Sequence, residues 1–321
     1  MQHLLQIPNG RGSFGKAVLS LCMVCCFANA TLANTIIERG KIYKIRNQVD
    51  ISRGQQSDWN QAKLGDAIVP QDLVRTGANS RADLLFNEGT LVRTGAGTTF
   101  RFPPGKRSFE LTSGAALIMI RPEQGQSTIV TPEAKVVSQG TALFVQHDSE
   151  SSSSLVGVLT NSPAGLVKVS SINGEVTIKL QAGQFVSIVR GVVGLVEHFV
   201  LPMFYETVEL AVGLGMKPKE MEAIIASESP EVQATIRAVQ SEAIEPLQNQ
   251  LAWLQGFCKL GVENDNITSL LQLLGIRGLG TQLNLEASES LSVIPFRSLN
   301  GAVWLGEYCQ GSLTLPGFET E

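Results

Sequence analysis

The chain has 321 residues, 25 basic against 29 acidic for a formal charge of −4, with 43% hydrophobic and 17% charged residues. That apolar share is enough for a core, which excludes wholesale disorder. No Lys/Arg cluster is present, which argues against a nucleic-acid partner, since such binding needs a cationic surface to displace phosphate counterions.

Residues 1–33 carry Arg11 and Lys16 and no acid, then the uncharged run AVLSLCMVCCF at 17–27, then the small-residue stretch ANATLA. This is the order of a secretory signal peptide, and the apolar run is short of the ~20 residues a membrane span requires. Cleavage is expected after Ala33, with Ala30 as second choice. A lipoprotein processed at Cys22 and an uncleaved anchor are the alternatives. Bulky Leu21 in front of Cys22 speaks against the lipoprotein. Cleavage leaves 23 basic and 29 acidic residues and removes Cys22, Cys25 and Cys26. The expected location is periplasmic or extracellular, with a mature protein that is not integral to a membrane. Cys258 and Cys309 then have one intramolecular pairing, closing a loop of about fifty residues worth at most ~4 kcal/mol. Two buried free thiols are the other reading.

Residues 34–192 read as a mainly β domain. Between 64 and 189, short extended runs such as 82–86, 115–121, 142–146 and 155–160 alternate with glycine and proline at eight- to twelve-residue spacing. That pattern favours a sandwich, roll or solenoid. Val176, Ile178 and Leu180 alternate with Glu175, Thr177 and Lys179, the mark of a strand with one buried face. Asn173-Gly174 before it is a tight-turn pair, so 166–180 reads as a hairpin. AALIMI at 115–120 is apolar on both parities and predicts a strand covered on both faces. Residues 149–154 form a polar loop.

After a linker at 193–215, residues 216–321 read as a helical region with an irregular tail. Ser229-Pro230-Glu231 is a helix start: a capping serine, a proline suited to the first turn, and an acid at the positive dipole end. Val232, Ile236 and Val239 recur at helical spacing. A second helix follows Pro246 with Leu247, Leu251 and Leu254 on one stripe, and Asn266 could cap a third.

The β domain resembles the FecR domain of exported bacterial regulatory proteins. The likeness is carried by ordered short blocks: Gly65-Asp66, Val74-Arg75-Thr76-Gly77, Ser80-Arg81-Ala82, Leu84-Leu85-Phe86, Glu88-Gly89-Thr90, Arg93, Gly95, Leu111-Thr112-Ser113-Gly114, Thr131-Pro132-Glu133-Ala134, Gly140-Thr141, Phe144 and Ala182-Gly183-Gln184. Among them Asp66, Arg75, Gly77, Ser80, Arg81, Gly89, Thr90, Gly140 and Thr141 are the turn or rim residues. Gly77, Gly89 and Gly140 fall where strands reverse and are expected to use positive φ. The two arginines would stabilise turns through backbone carbonyls or Asp66, Asp72 or Asp83, or would line a partner-binding rim. The resemblance implies a non-enzymatic envelope protein. Regulators of this type carry a long cytoplasmic segment before their membrane span. Here about sixteen residues precede the apolar run, so a free-standing exported protein without sigma-factor handling is expected.

No catalytic, cofactor or metal constellation emerges. His147-Asp148-Ser149 are neighbours in a strand and loop, whereas triad members come from distant segments. His198 beside Glu197 lacks a second ligand at zinc spacing. The leading expectation is an interaction or signal-relay module that binds an envelope protein. A cell-wall polymer binder presenting a row of aromatics such as Trp59 and Tyr43 is the alternative. A hydrolase with two dispersed carboxylates comes third.

Overall fold

Alternating apolar side chains sort the strands into two sheets. The computed structural model describes residues 36–215 and 218–259. The first nine strands are β1 (Gly40–Arg46), β2 (Val49–Ser52), β3 (Asn60–Gln61), β4 (Ala67–Ile68), β5 (Leu73–Thr76), β6 (Arg81–Phe86), β7 (Leu91–Thr94), β8 (Thr99–Arg101) and β9 (Ser108–Met119). Then come β10 (Ser127–Val130), β11 (Ala134–Ser138), β12 (Ala142–Asp148), β13 (Ser153–Val158), β14 (Val167–Ser171), β15 (Thr177–Leu180), β16 (Gln184–Val189), β17 (Val192–Val193) and β18 (Glu197–His198). Helices α1 (Leu201–Thr207), α2 (Pro218–Ala226), α3 (Pro230–Ser241) and α4 (Ile244–Lys259) follow.

One sheet runs β4-β1-β6-β7-β9-β12-β13-β16, with β17 and β18 on its end. The other runs β3-β2-β5-β8-β9-β10-β11-β14-β15. All pairings are antiparallel except β9 with β10. Strand β9 belongs to both sheets. Its first half pairs with β8 and β10 and its second with β7 and β12. The crossing falls at Gly114, whose φ is +79 and where a Cβ would meet Thr98 Cα at 2.5 Å. Only glycine fits that corner.

The two inner faces enclose one core. Val49, Val74, Phe100, Phe109, Ile129 and Val169 of the second sheet meet Ile42, Leu84, Val92, Ile118, Val145 and Val156 of the first. Phe86 stands edge-on to Phe102 and Phe109 at 5.2 and 5.1 Å between ring centroids, a favoured aromatic geometry. The outer face of the first sheet is covered too. Leu91, Ala115, Leu117, Met119, Phe144 and Phe185 pack under Phe199, Phe204, Tyr205, Ile225, Val232 and Ile236. The result is three layers, sheet on sheet on helices, with AALIMI in the middle layer. Ala116 and Ile118 face one core, and Ala115, Leu117 and Met119 the other.

The fold is mainly β with helices toward the C-terminus, as the turn spacing predicts. Several local expectations differ. Residues 193–215, read as a linker, are built into the molecule: β18 extends the first sheet, and Phe199, Leu201, Phe204, Tyr205 and Leu214 are buried beneath α2 and α3. The apolar residues there follow neither a strand nor a long helix period, which hid their role. Strands β1, β2 and β3 fall within the expected β domain of 34–192 but before residue 64, where the expected strand runs begin. Ser229 occupies the cap position of α3 in extended geometry but makes no side-chain capping bond. Its N–H donates to the Tyr43 hydroxyl instead, at 2.8 Å. Ser153 and Ser154, read as loop, begin β13. Ala33, Cys309 and the helix expected at Asn266 lie outside the described residues, whereas Cys258 sits in the last turn of α4.

Candidate functional site

Two of the family-motif arginines, Arg81 and Arg93, meet at the joint between the first sheet and the helices. Asp83 on β6 and Arg93 on β7 are directly opposed and face the helical layer. Arg81 grips Asp83 with two donors, Nε at 2.9 Å and Nη2 at 3.3 Å. Its third nitrogen donates to the Glu209 carbonyl at 3.0 Å. Arg93 Nη1 donates to the Leu210 carbonyl at 2.9 Å and also to the Val212 carbonyl. The Glu209 and Leu210 carbonyls belong to the short 3-10 turn Glu209–Ala211 and the Val212 carbonyl to its C-cap, so two motif arginines satisfy the segment that leads to α2. Burial lowers the Arg93 pKa to about 10, with Asp83 opposing the shift. Around the same joint, buried Glu228 accepts from the Tyr43 hydroxyl at 2.9 Å and from Lys44.

A second buried ion pair sits at the β6–β7 turn. Arg107 Nη1 lies 3.2 Å from Glu88 Oε1, and the guanidinium also donates to Ser127 Oγ at 2.9 Å and Thr90 Oγ1 at 3.4 Å. Thr90 N–H returns a bond to Glu88 at 3.1 Å. Burial lowers the Arg107 pKa, against the pull of Glu88. The sequence offers Asp83 as a possible partner of Arg81, and the two are bonded; Arg107 does not stand out there, because a charged side chain reads as solvated unless its partner is visible.

The remaining motif residues point inward or into turns. Gly89 and Gly140 have φ of +93 and +62, and the Gly89 carbonyl accepts from Thr235 of α3 at 2.6 Å. Gly77 is a correction: it is outside the positive-φ set, and its N–H donates to the Gln48 carbonyl at 3.0 Å. Ser80 Oγ accepts the Gln48 N–H. Thr141 is fully buried and donates to the Thr160 carbonyl at 2.6 Å. Asp66 accepts the Lys63 N–H within its own turn. Arg75 pairs with Asp50 at 3.0 Å and lies 4.1 Å above the Trp59 ring. Seven of the nine are thus internal wiring or turn geometry, and an eighth, Arg81, is largely covered; Arg75 alone lies on an open face with more than a third of its side chain exposed.

The aromatic row required of a polymer binder does not form from the two named residues. Tyr43 packs under the helices and Trp59 lies beside the second sheet under Arg75. His147 Nδ1 is 3.0 Å from Ser154 Oγ, which is bonded in turn to Thr131 Oγ1 at 2.7 Å. Both side chains are buried, so no substrate reaches the hydroxyl. Asp148 turns away to accept from Glu150 N–H and Ser151. Each of the buried acids Asp50, Asp72, Asp83, Glu88 and Glu228 has a cationic partner. A cavity of about 350 Å³ opens where Val158, Val167 and Leu180 at the sandwich end meet Asn161, Glu242 and Glu245. Among the described residues no group of three or more His, Cys, Asp or Glu side chains gathers at metal-binding separation, and no helix is long and apolar enough to cross a membrane.

No curated protein matches the sequence. Two crystal structures of a candidate anti-sigma factor from Parabacteroides distasonis are similar at 20% and 21% identity, each with a TM-score of 0.34. Each match covers 39% of this chain and 59% of the other, so the chain spans little more than half the length of those structures. The family model described as FecR protein matches residues 72–162, the stretch from β5 through the turn after β13 that holds Arg75, Arg81, Glu88, Thr90, Arg93 and Thr141. Over residues 72–162, then, this chain is similar to the FecR family.

Proposed function

We propose that this protein is an exported, non-enzymatic module of the cell envelope that acts in signalling by binding another protein. The observation that carries the reading is the FecR match across the middle of the sandwich. The side-chain chemistry supports it: the buried acids are neutralised by cations, and the His147–Ser154 pair is sealed from solvent. Residues 1–33 supply the export signal, and Cys258 and Cys309 form a disulfide once the chain has left the cytosol. The helical layer is part of the module, because Arg93, Arg81 and Glu228 join it to the sheet. Fractionation followed by N-terminal sequencing tests export: envelope material beginning at Asn34 is expected, and full-length cytosolic protein contradicts it. A pull-down from envelope fractions tests the interaction. Failure to recover a partner, with a monomeric and freely diffusing protein, overturns the reading.

A further inference from the structure

Strand β15 ends the second sheet, and among the described residues it pairs with β14 alone. The register shows which of its backbone groups are free. Ser171 N–H donates to the Val176 carbonyl, which makes that pair a hydrogen-bonded one. Bonded pairs alternate with non-bonded pairs in an antiparallel ladder. Ile178 and Leu180 therefore turn their backbone groups toward β14, while those of Thr177 and Lys179 face the open edge.

The outer face beside this edge is unusual in its charges. Lys168 on β14 stands directly opposite Lys179, and Lys135 on β11 stands opposite Ser170 in the adjacent row. All three lysines are exposed, and no carboxylate lies within ion-pair distance of any of them among the described residues. Elsewhere on the same face, directly opposed residues neutralise one another, Arg75 with Asp50 and Arg101 with Glu110. Like charges placed opposite each other weaken a sheet. A lysine on an edge strand is a common guard against edge-to-edge pairing, and that accounts for Lys179. It leaves Lys168 and Lys135, both on interior strands, without an explanation.

We propose that the β15 edge takes up an extended acidic segment of a partner protein by strand addition. This deepens the interaction reading above and rests on it. Thr177 and Lys179 offer their backbone N–H and C=O groups to the incoming strand. Every second side chain of that strand falls on the outer face, where carboxylates neutralise Lys179 and then Lys168. The lysines thus both recruit and select, since a neutral or basic strand leaves them unpaired or repelled. A second copy of this chain is a poor occupant, because its own β15 presents lysine to lysine.

The test uses the chain from Asn34 onward and three probes: a peptide alternating Glu and Val, its Lys-Val counterpart, and the acidic peptide N-methylated at alternate backbone nitrogens. Binding is followed by fluorescence anisotropy and by amide exchange at Thr177 and Lys179. The acidic peptide is expected to bind at least about tenfold more tightly than the basic one at low salt, to weaken as salt rises, and to slow exchange at both amides. The Lys168→Glu/Lys179→Glu variant, checked for an unchanged melting curve, should reverse the preference. Equal binding of acidic and basic peptides, no binding, or undiminished binding of the N-methylated peptide overturns the proposal. The last result would indicate mere attraction of polyanions. A pull-down that recovers the same envelope partner with parent and variant removes the β15 edge from the interaction while leaving the interaction itself standing.

Discussion

Asp83 and Arg93 stand opposite each other on β6 and β7, 3.6 Å apart, each side chain only 2% exposed. A charge buried this deeply is costly unless it is paired and fully bonded. Here Arg81 from the sheet and carbonyls from the segment before α2 supply most of those bonds, while Arg93 Nε faces Asp83 without a hydrogen bond of its own. The cluster therefore anchors the helical layer as well as the sheet. Asp83→Asn keeps the shape and removes the countercharge. It should cost about 3–5 kcal/mol, read as a lower urea midpoint, and a loss below about 1 kcal/mol would show that Arg81 and the carbonyls suffice.

Tyr43 holds the α2–α3 corner through two bonds, donating to Glu228 and accepting the Ser229 N–H. Tyr43→Phe strands a half-buried amide and weakens a buried carboxylate. A loss of about 1–3 kcal/mol is expected, with faster amide exchange in α3 than in β9 or β12. Uniform acceleration across sheet and helices would contradict a separately opening helical layer.

The two motif glycines at Gly140 and Gly77 should respond differently. At Gly140, φ is +62 and a Cβ would meet Pro122 Cα at 2.5 Å. Gly140→Ala combines a strained φ, about 1–3 kcal/mol, with a backbone clash, and should lower Tm by roughly 5–10 °C. At Gly77 the nearest atoms are the Gln48 side chain at 3.3 Å, and Gly77→Ala should cost about 1 kcal/mol or less. Equal losses in thermal melts would refute the distinction.

Burial depresses the pKa of His147 below its ordinary value. The folded state then binds a proton less readily than the unfolded state. The contribution to stability is full above the unfolded value near 6.5 and falls away as pH drops through the folded value. Denaturation midpoints should therefore decline below about pH 6.5. His147→Gln should flatten that decline, and an unchanged slope would assign it to other groups.

The legible parts of the fold were those written in a local period. The 166–180 hairpin follows from two-residue alternation around Asn173-Gly174, and its turn glycine has φ +76. AALIMI was readable as a doubly covered strand because neither parity offers water a polar side chain. Strand β1 was hidden because its register shifts between Ile42 and Lys44, which breaks the alternation a reader relies on. Within the hairpin, Val176 is 48% exposed despite its apolar parity, since it lies at the turn before β15 begins.

By itself the amino-acid order determined the class of the molecule, its family likeness, several of its corners and its apolar strands, because these depend on neighbours within a few residues. Tertiary structure alone decided that Arg93 and Arg107 are interior, that residues 193–215 form part of a second core, and that Lys168 faces Lys179 at an open edge. Those outcomes depend on which distant strands lie side by side. A charged side chain is sealed in or left to solvent according to the partner that the pairing delivers.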